Sequence, residues 1–224
     1  LAISRSFGEP KILEMISLAI RKHFHTKNIF FPGFPFIAYM AIRDLMPEES
    51  EFLFLDIGGE VTDISLVRKG VLLETASFPI GRHTFVRRLA DESSTVPAEA
   101  VSALSLYLRG ETNEIASAKI RPILARTEDQ WRASLMEILK GFSTESLLPR
   151  RVYLLGDRRY APLFRDSLKH ASFKEFVAVK QSFSVFELDE TLVHRLCKGT
   201  GNDFFIMIHS LYIAALWRIN GGAV

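Results

Sequence analysis

The chain has 224 residues, 48% hydrophobic and 24% charged, which suits a packed core and excludes an intrinsically disordered segment. A formal net charge of +2 excludes binding that rests on bulk attraction to nucleic acid, and the short basic pairs Arg87-Arg88, Arg150-Arg151 and Arg158-Arg159 read as solvated surface. The lone cysteine, Cys197, excludes an internal disulfide and suits a reducing compartment, while six scattered histidines lack the spacing of a zinc site.

Pro10 suits the first turn of a helix whose apolar positions Ile12, Leu13, Ile16, Ala19, Ile20 and Phe24 recur at helical spacing. A short strand is expected over 28–31, then the turn "FPGFP", then a second helix that Pro35 starts and Pro47 ends. From residue 52 the period changes. "FLFLD" is a nearly continuous apolar run, as in a strand buried on both faces, and "TDISLVRKG" then alternates with Ile64 and Leu66 inward. With "VLLETASF" after the turn at Gly70, residues 52–78 read as a three-strand antiparallel meander.

A helix to about residue 91 follows "PIGRHTF", and Ser94 or Thr95 is placed to cap another at "PAEAVSALSLYL". Good helix formers predict two more helices, at about 112–126 and 129–141. Then come a strand "RVYLLGD" ending in Gly156, a helix through "YAPLFRDSLKH", a strand "FVAV" over 176–179, a loop, and a closing apolar helix over 204–217. That helix, interrupted by His209, falls short of the ~20 residues that span a bilayer and is expected to be buried. Hairpins followed by strand-helix-strand crossovers predict an α/β mixed sheet with flanking helices, the element order of a ribonuclease-H-like fold as in actin-type ATPases. Residues 1–91 and 142–224 are expected to form one discontinuous lobe, and 92–141 a small helical insertion.

Neither Asp nor Gly favours a strand, so the end of "FLFLDIGG" calls for a chemical reason. A glycine turn at Gly58 and Gly59 lets backbone approach a ligand closely and can aim N–H groups at a phosphate. Asp56 is then placed to hold Mg²⁺, directly or through water, and Thr62 to add a hydroxyl donor. The bland alternative is a hairpin turn whose acidic residues bond nearby backbone N–H groups.

The segment "FLFLDIGGEVTDISLVRKGVLLETASFPIGRHTFVRRLA" resembles the second phosphate motif of the actin-like ATPase superfamily, and most closely its bacterial branch containing FtsA and PilM. "STVPAEAVSAL" is similar to the helix after that motif, and "RVYLLGDRRYAPLFRDSL" resembles the family's adenosine motif. The match is to the C-terminal half of such proteins, so the chain is expected to be part of something longer, without the first phosphate motif. The resemblance implies ATP and Mg²⁺ at Asp56, Gly58, Gly59, Thr62, Gly156 and Asp157, with Asp56 as the metal residue. It also implies a cytoplasmic scaffold at the inner face of the membrane, in type IV pilus assembly or cell division, with ATP binding retained or degraded, self-association or a membrane-complex protein tail as partner, indirect membrane contact and no nucleic acid. ATP turnover would require the other half. Two features depart from the pattern: Glu60 and Val61 stand where many relatives have glycine and threonine, and Asp157 follows Gly156 where a second glycine is usual. A carboxylate at position 60 repels phosphate unless a cation lies between. Other classes open to the same fold are a metal-dependent kinase or a nuclease using Asp56, and a membrane-surface role for the closing helix.

Overall fold

The computed structural model describes residues 8–26, 29–188, 208 and 211–214. It divides into two compact units, one of residues 1–47 with 197–224 and one of residues 48–196.

The first unit holds α1 (Pro10–Phe24) and α2 (Phe34–Leu45), both with proline in the first turn. His25 closes α1 in the left-handed conformation at φ 52°. No residue of α1 is buried, whereas α2 buries Ile37, Ala38, Tyr39, Met40, Ala41 and Ile42. Within this unit Phe36 meets Tyr212 edge-on, at 6.1 Å between ring centroids. Residues 29–31 form no strand, since no described segment of the unit offers a ladder partner, and 27–28 lie outside the described residues. Of the closing helix, Ile208 and residues 211–214 are helical, with Ile208, Leu211 and Tyr212 buried; the remainder lies outside the described residues.

The second unit is built on a five-stranded mixed sheet of order β3-β2-β1-β4-β5. Its strands are β1 (Phe52–Ile57), β2 (Thr62–Arg68), β3 (Val71–Phe78), β4 (Arg151–Gly156) and β5 (Ser184–Glu187). The first three are the expected antiparallel meander; β4 and β5 join parallel to β1 after helical crossovers. One face of the sheet, with Leu53, Leu55, Ile64, Leu66 and Leu154, packs into a single core with α3 (Arg82–Ser93), α4 (Pro97–Leu108), α5 (Glu114–Phe142) and α6 (Ala161–Leu168). The expected fold class is the one observed.

Three local expectations differ. Ser94 adopts φ 52° and closes α3, leaving Val96 as the residue before α4, whose Pro97 needs no N–H acceptor. The two helices expected over 112–126 and 129–141 are one helix, α5, running through Pro122. Its stripe Ile120, Leu124, Thr127, Trp131, Leu135 and Leu139 is buried without interruption, and that continuous burial outweighs the one backbone donor Pro122 lacks. The strand expected over 176–179 falls instead at β5. "FVAV" is apolar because Phe176 and Val177 enter the core, with Val177 making only an isolated bridge to Leu148. β5 is held by its ladder to β4 and by Arg165, whose Nη1 lies 2.7 Å from the Glu187 carboxylate.

Candidate functional site

β1 and β4 run parallel and end side by side, with Ile57 opposite Gly156. Such paired carboxyl ends open a crevice in α/β sheets, because the chain leaves in different directions from each strand. At Gly156 the chain turns at φ +144°, and a Cβ there would stand 3.0 Å from the Ile57 carbonyl oxygen. Only glycine fits that turn without strain.

Asp56 is the penultimate residue of β1 and is 9% exposed. Its Oδ1 has no hydrogen-bond partner. Burial, reinforced by the charge of Asp63 directly opposite on β2, raises its pKa from 3.8 to about 7, with Arg82 acting against the rise. Asp63 shares that sheet face because opposed residues of an antiparallel pair do, and it accepts a hydrogen bond from Ser77 on β3.

By the same alternation Thr62 opposes Ile57 and takes the other face. It is fully buried there: its hydroxyl donates to the Ile80 carbonyl at 2.7 Å and accepts from the Trp131 indole at 3.0 Å. The structure therefore brings Asp56, Gly58, Gly59, Gly156 and Asp157 to the two strand ends and sets Thr62 apart, with its one proton already used.

The turn after β1 is strapped to α3. Gly58 N–H donates to the Val61 carbonyl at 2.9 Å, while the Gly58 and Gly59 carbonyls accept from the N–H groups of Arg82 at 3.1 Å and His83 at 2.8 Å. Gly59 packs so closely on His83 that a Cβ would come within 2.7 Å of its ring. The Glu60 carboxylate takes both Nη atoms of Arg87, at 2.7 and 2.8 Å, and lies 3.2 Å from His83 Nδ1. Those contacts, Arg87 first and His83 second, hold its pKa down at about 2.

Asp157 is held within its own turn. Its Oδ1 accepts from the Arg159 N–H at 3.0 Å, its Oδ2 from Arg159 Nη2 at 2.6 Å, and these bonds lower its pKa. This is the geometry of a side chain that builds the turn into α6.

The residues present fit the implied Mg²⁺ and nucleotide in two respects. A buried carboxylate oxygen without a partner suits a hydrated cation, which needs one or two carboxylates when phosphates supply the rest. Among the described residues, the N–H groups of Gly59 and Glu60 donate to no protein acceptor, as a phosphate-facing turn requires. No group of three or more acidic, His or Cys side chains stands ready for a metal among the described residues, so any cation here is held largely by water and ligand. A cavity of about 430 Å³ lies elsewhere in this unit, lined by residues such as Tyr107, Arg121, Glu128 and Asp166, and none of the site residues borders it.

Sequence reasoning missed the cations. Arg82, the first residue of α3, acts electrostatically on both Asp56 and Asp157. A basic residue in a first turn opposes the helix dipole, and that anomaly was the available signal. Arg87, one turn beyond His83 on α3, is the cation paired with Glu60, and the His83 ring lies against the same carboxylate.

No family model and no curated protein matches the sequence. Among solved structures, the PilM–PilN type IV pilus biogenesis complex matches with a TM-score of 0.55 at 20% identity, over 84% of this chain and 53% of that one. An archaeal actin homologue matches at 0.48 and 16% identity, over 80% and 54% of the two chains. The ethanolamine utilization protein EutJ from Carboxydothermus hydrogenoformans matches at 0.46 and 18%, over 66% and 47%. The chain spans about half the length of these structures. The mixed sheet of order β3-β2-β1-β4-β5 with its flanking helices is the actin-like ATPase domain fold. Among the described residues no helix is long and apolar enough to cross a membrane.

Proposed function

We propose that this chain forms one lobe of a cytoplasmic actin-like protein of the FtsA/PilM kind, which holds a Mg²⁺-nucleotide at the ends of β1 and β4 and scaffolds a membrane-associated assembly. The observation that carries the reading is the buried, unbonded Oδ1 of Asp56 beside a glycine turn with two open N–H groups. Mg²⁺, when bound, would supply the positive charge that joins the carboxylate to phosphate oxygens. Asp56 would hold its water shell, Gly59 and Glu60 would offer backbone N–H groups to phosphate, and Gly156 would leave room beside the strand end for the nucleoside. Asp157 would serve chiefly by shaping that turn, and Thr62 by anchoring β2 from behind.

Residues 1–91 and 142–224 would form that lobe, with 92–141 as its helical insertion. Hydrolysis would require a second lobe across the cleft, since water positioning supplies much of phosphoryl-transfer catalysis. A similar structure is the PilM–PilN type IV pilus biogenesis complex, which favours a protein partner and pilus assembly over cell division; that partner would be the tail of a membrane-complex protein. A two-metal nuclease would need at least a third acidic or histidine ligand beside Asp56 and Asp63, and the described residues offer no such group of three.

The test is equilibrium binding of a fluorescent ATP analogue with and without Mg²⁺ to the full chain and its Asp56→Asn variant. Mg²⁺-dependent binding that weakens at least about tenfold in the variant is expected, the loss of one charge-assisted contact. Equal binding by both proteins, or none by either, would sink the nucleotide reading and leave partner surfaces as the basis of function.

A further inference from the structure

The Glu60 carboxylate is an anion built into the mouth of a site whose other features suit anions. We infer that Arg87 and His83 form a phosphate subsite at the β1–β2 turn, and that Glu60 fills it until the phosphate group of a ligand displaces it. The inference rests on the nucleotide reading above and names the regulation of the same site.

Four observations lead there. Arg87 grips Glu60 with both Nη atoms, at 2.7 and 2.8 Å, the two-pronged geometry a guanidinium offers to carboxylate and phosphate alike. His83 Nδ1 lies 3.2 Å from the same carboxylate; an ionised carboxylate only accepts, so this nitrogen carries a proton that a phosphate oxygen could take over. The N–H groups of Arg82 and His83, the first two of α3, are already bonded to the Gly58 and Gly59 carbonyls, so an anion here would be held by side chains more than by the helix end. Donors in or against the same turn include the side chains of His83 and Arg87 and the open N–H groups of Gly59 and Glu60.

Exchange is physically easy. The side chains of His83, Glu60 and Arg87 are 50%, 59% and 52% exposed, and exposed ion pairs are weak because water competes for both partners. A phosphate carries more charge than a carboxylate and holds the same fork, so it replaces Glu60, whose side chain swings into solvent. Glu60 thereby sets a threshold: weak anions do not enter, whereas polyphosphates do.

The experiment is calorimetric titration of inorganic pyrophosphate, without Mg²⁺, into the full chain and its Glu60→Gln and Arg87→Met variants, with the His83 imidazole followed by NMR. Glu60→Gln should bind pyrophosphate about 1.5- to fivefold tighter, the scale of removing one weak competing ion pair. Arg87→Met should bind it more weakly than wild type, and pyrophosphate should shift the His83 resonance in wild type and in Glu60→Gln. Glu60→Gln binding no tighter than wild type, or a His83 resonance that pyrophosphate leaves unmoved, overturns the inference. If the ATP analogue needs Asp56 while Glu60→Gln leaves pyrophosphate affinity unchanged, only this inference fails. If pyrophosphate binds as expected but the analogue ignores Asp56→Asn, the subsite stands and the Mg²⁺-nucleotide reading fails.

Discussion

The two strand ends present the same sequence idea, a glycine within two residues of an acidic residue, with opposite physical outcomes. After β4, Asp157 is fully engaged by the Arg159 backbone and guanidinium, so its charge builds a turn. At the end of β1, Asp56 is buried with one oxygen unbonded, while the turn beyond it is tied to α3 by other atoms. A carboxylate at a strand end becomes a ligand candidate only where its neighbours leave its hydrogen bonds unmade and its charge uncompensated.

The largest effect should come from undoing the support behind the first strand end. Trp131 is fully buried, donates to Thr62 at 3.0 Å and packs against Phe78 and Phe164 at 6.0 and 5.2 Å. Trp131→Ala should cost about 3–5 kcal/mol in urea unfolding, as large-to-small core changes do.

Asp56→Asn should act on stability through pH. Its folded pKa is raised from 3.8 to about 7, so across that window the folded state keeps a proton that the unfolded state releases. Stability therefore falls as pH rises through the window, and the whole penalty is present above it. The variant should be more stable than wild type at pH 8 by roughly 1–4 kcal/mol and should lose the slope between pH 4 and 7, read from urea midpoints across pH. A wild-type curve flat over that range would remove the contrast between the two strand ends.

Gly156→Ala tests the second end. With φ at +144° and a Cβ 3.0 Å from the Ile57 carbonyl oxygen, it should destabilise by about 1–3 kcal/mol by thermal melting. Asp157→Asn keeps an acceptor for the Arg159 N–H and loses only the partly exposed ion pair, so a loss of about 0.5–1 kcal/mol is expected. Glu60→Gln should leave the unfolding midpoint unchanged while altering anion affinity, since both partners of its ion pairs are largely exposed. A clear drop in its midpoint would make the strap structural and nothing more.

Much of the architecture was legible because it follows from local pattern. The continuous apolar run of β1, the alternation in β2, the turn at Gly70 and the prolines opening α1, α2 and α4 each carry their own structural reason along a few residues. The position of Asp56 at a strand end beside Gly58 and Gly59 was legible on the same terms. What was misread depended on partners far away in the chain. The break expected near residue 127 vanished because the core on that side is continuous, and "FVAV" lost its strand because Val177 met only a bridge partner while Ser184–Glu187 met β4.

The candidate site divides in the same way. Residue type and spacing determined that a carboxylate, two glycines and a second Gly-Asp pair stand at strand ends. The tertiary structure decided their chemistry. Register across the β1–β2 turn put Thr62 on the face opposite Asp56, burial left Asp56 Oδ1 alone, and the docking of α3 brought Arg87 and His83 to Glu60 from 27 and 23 residues away. Secondary structure is set by interactions a few residues apart, which a sequence displays. Charge compensation and hydrogen-bond satisfaction are set by whatever the fold brings within about 3 Å, which it does not.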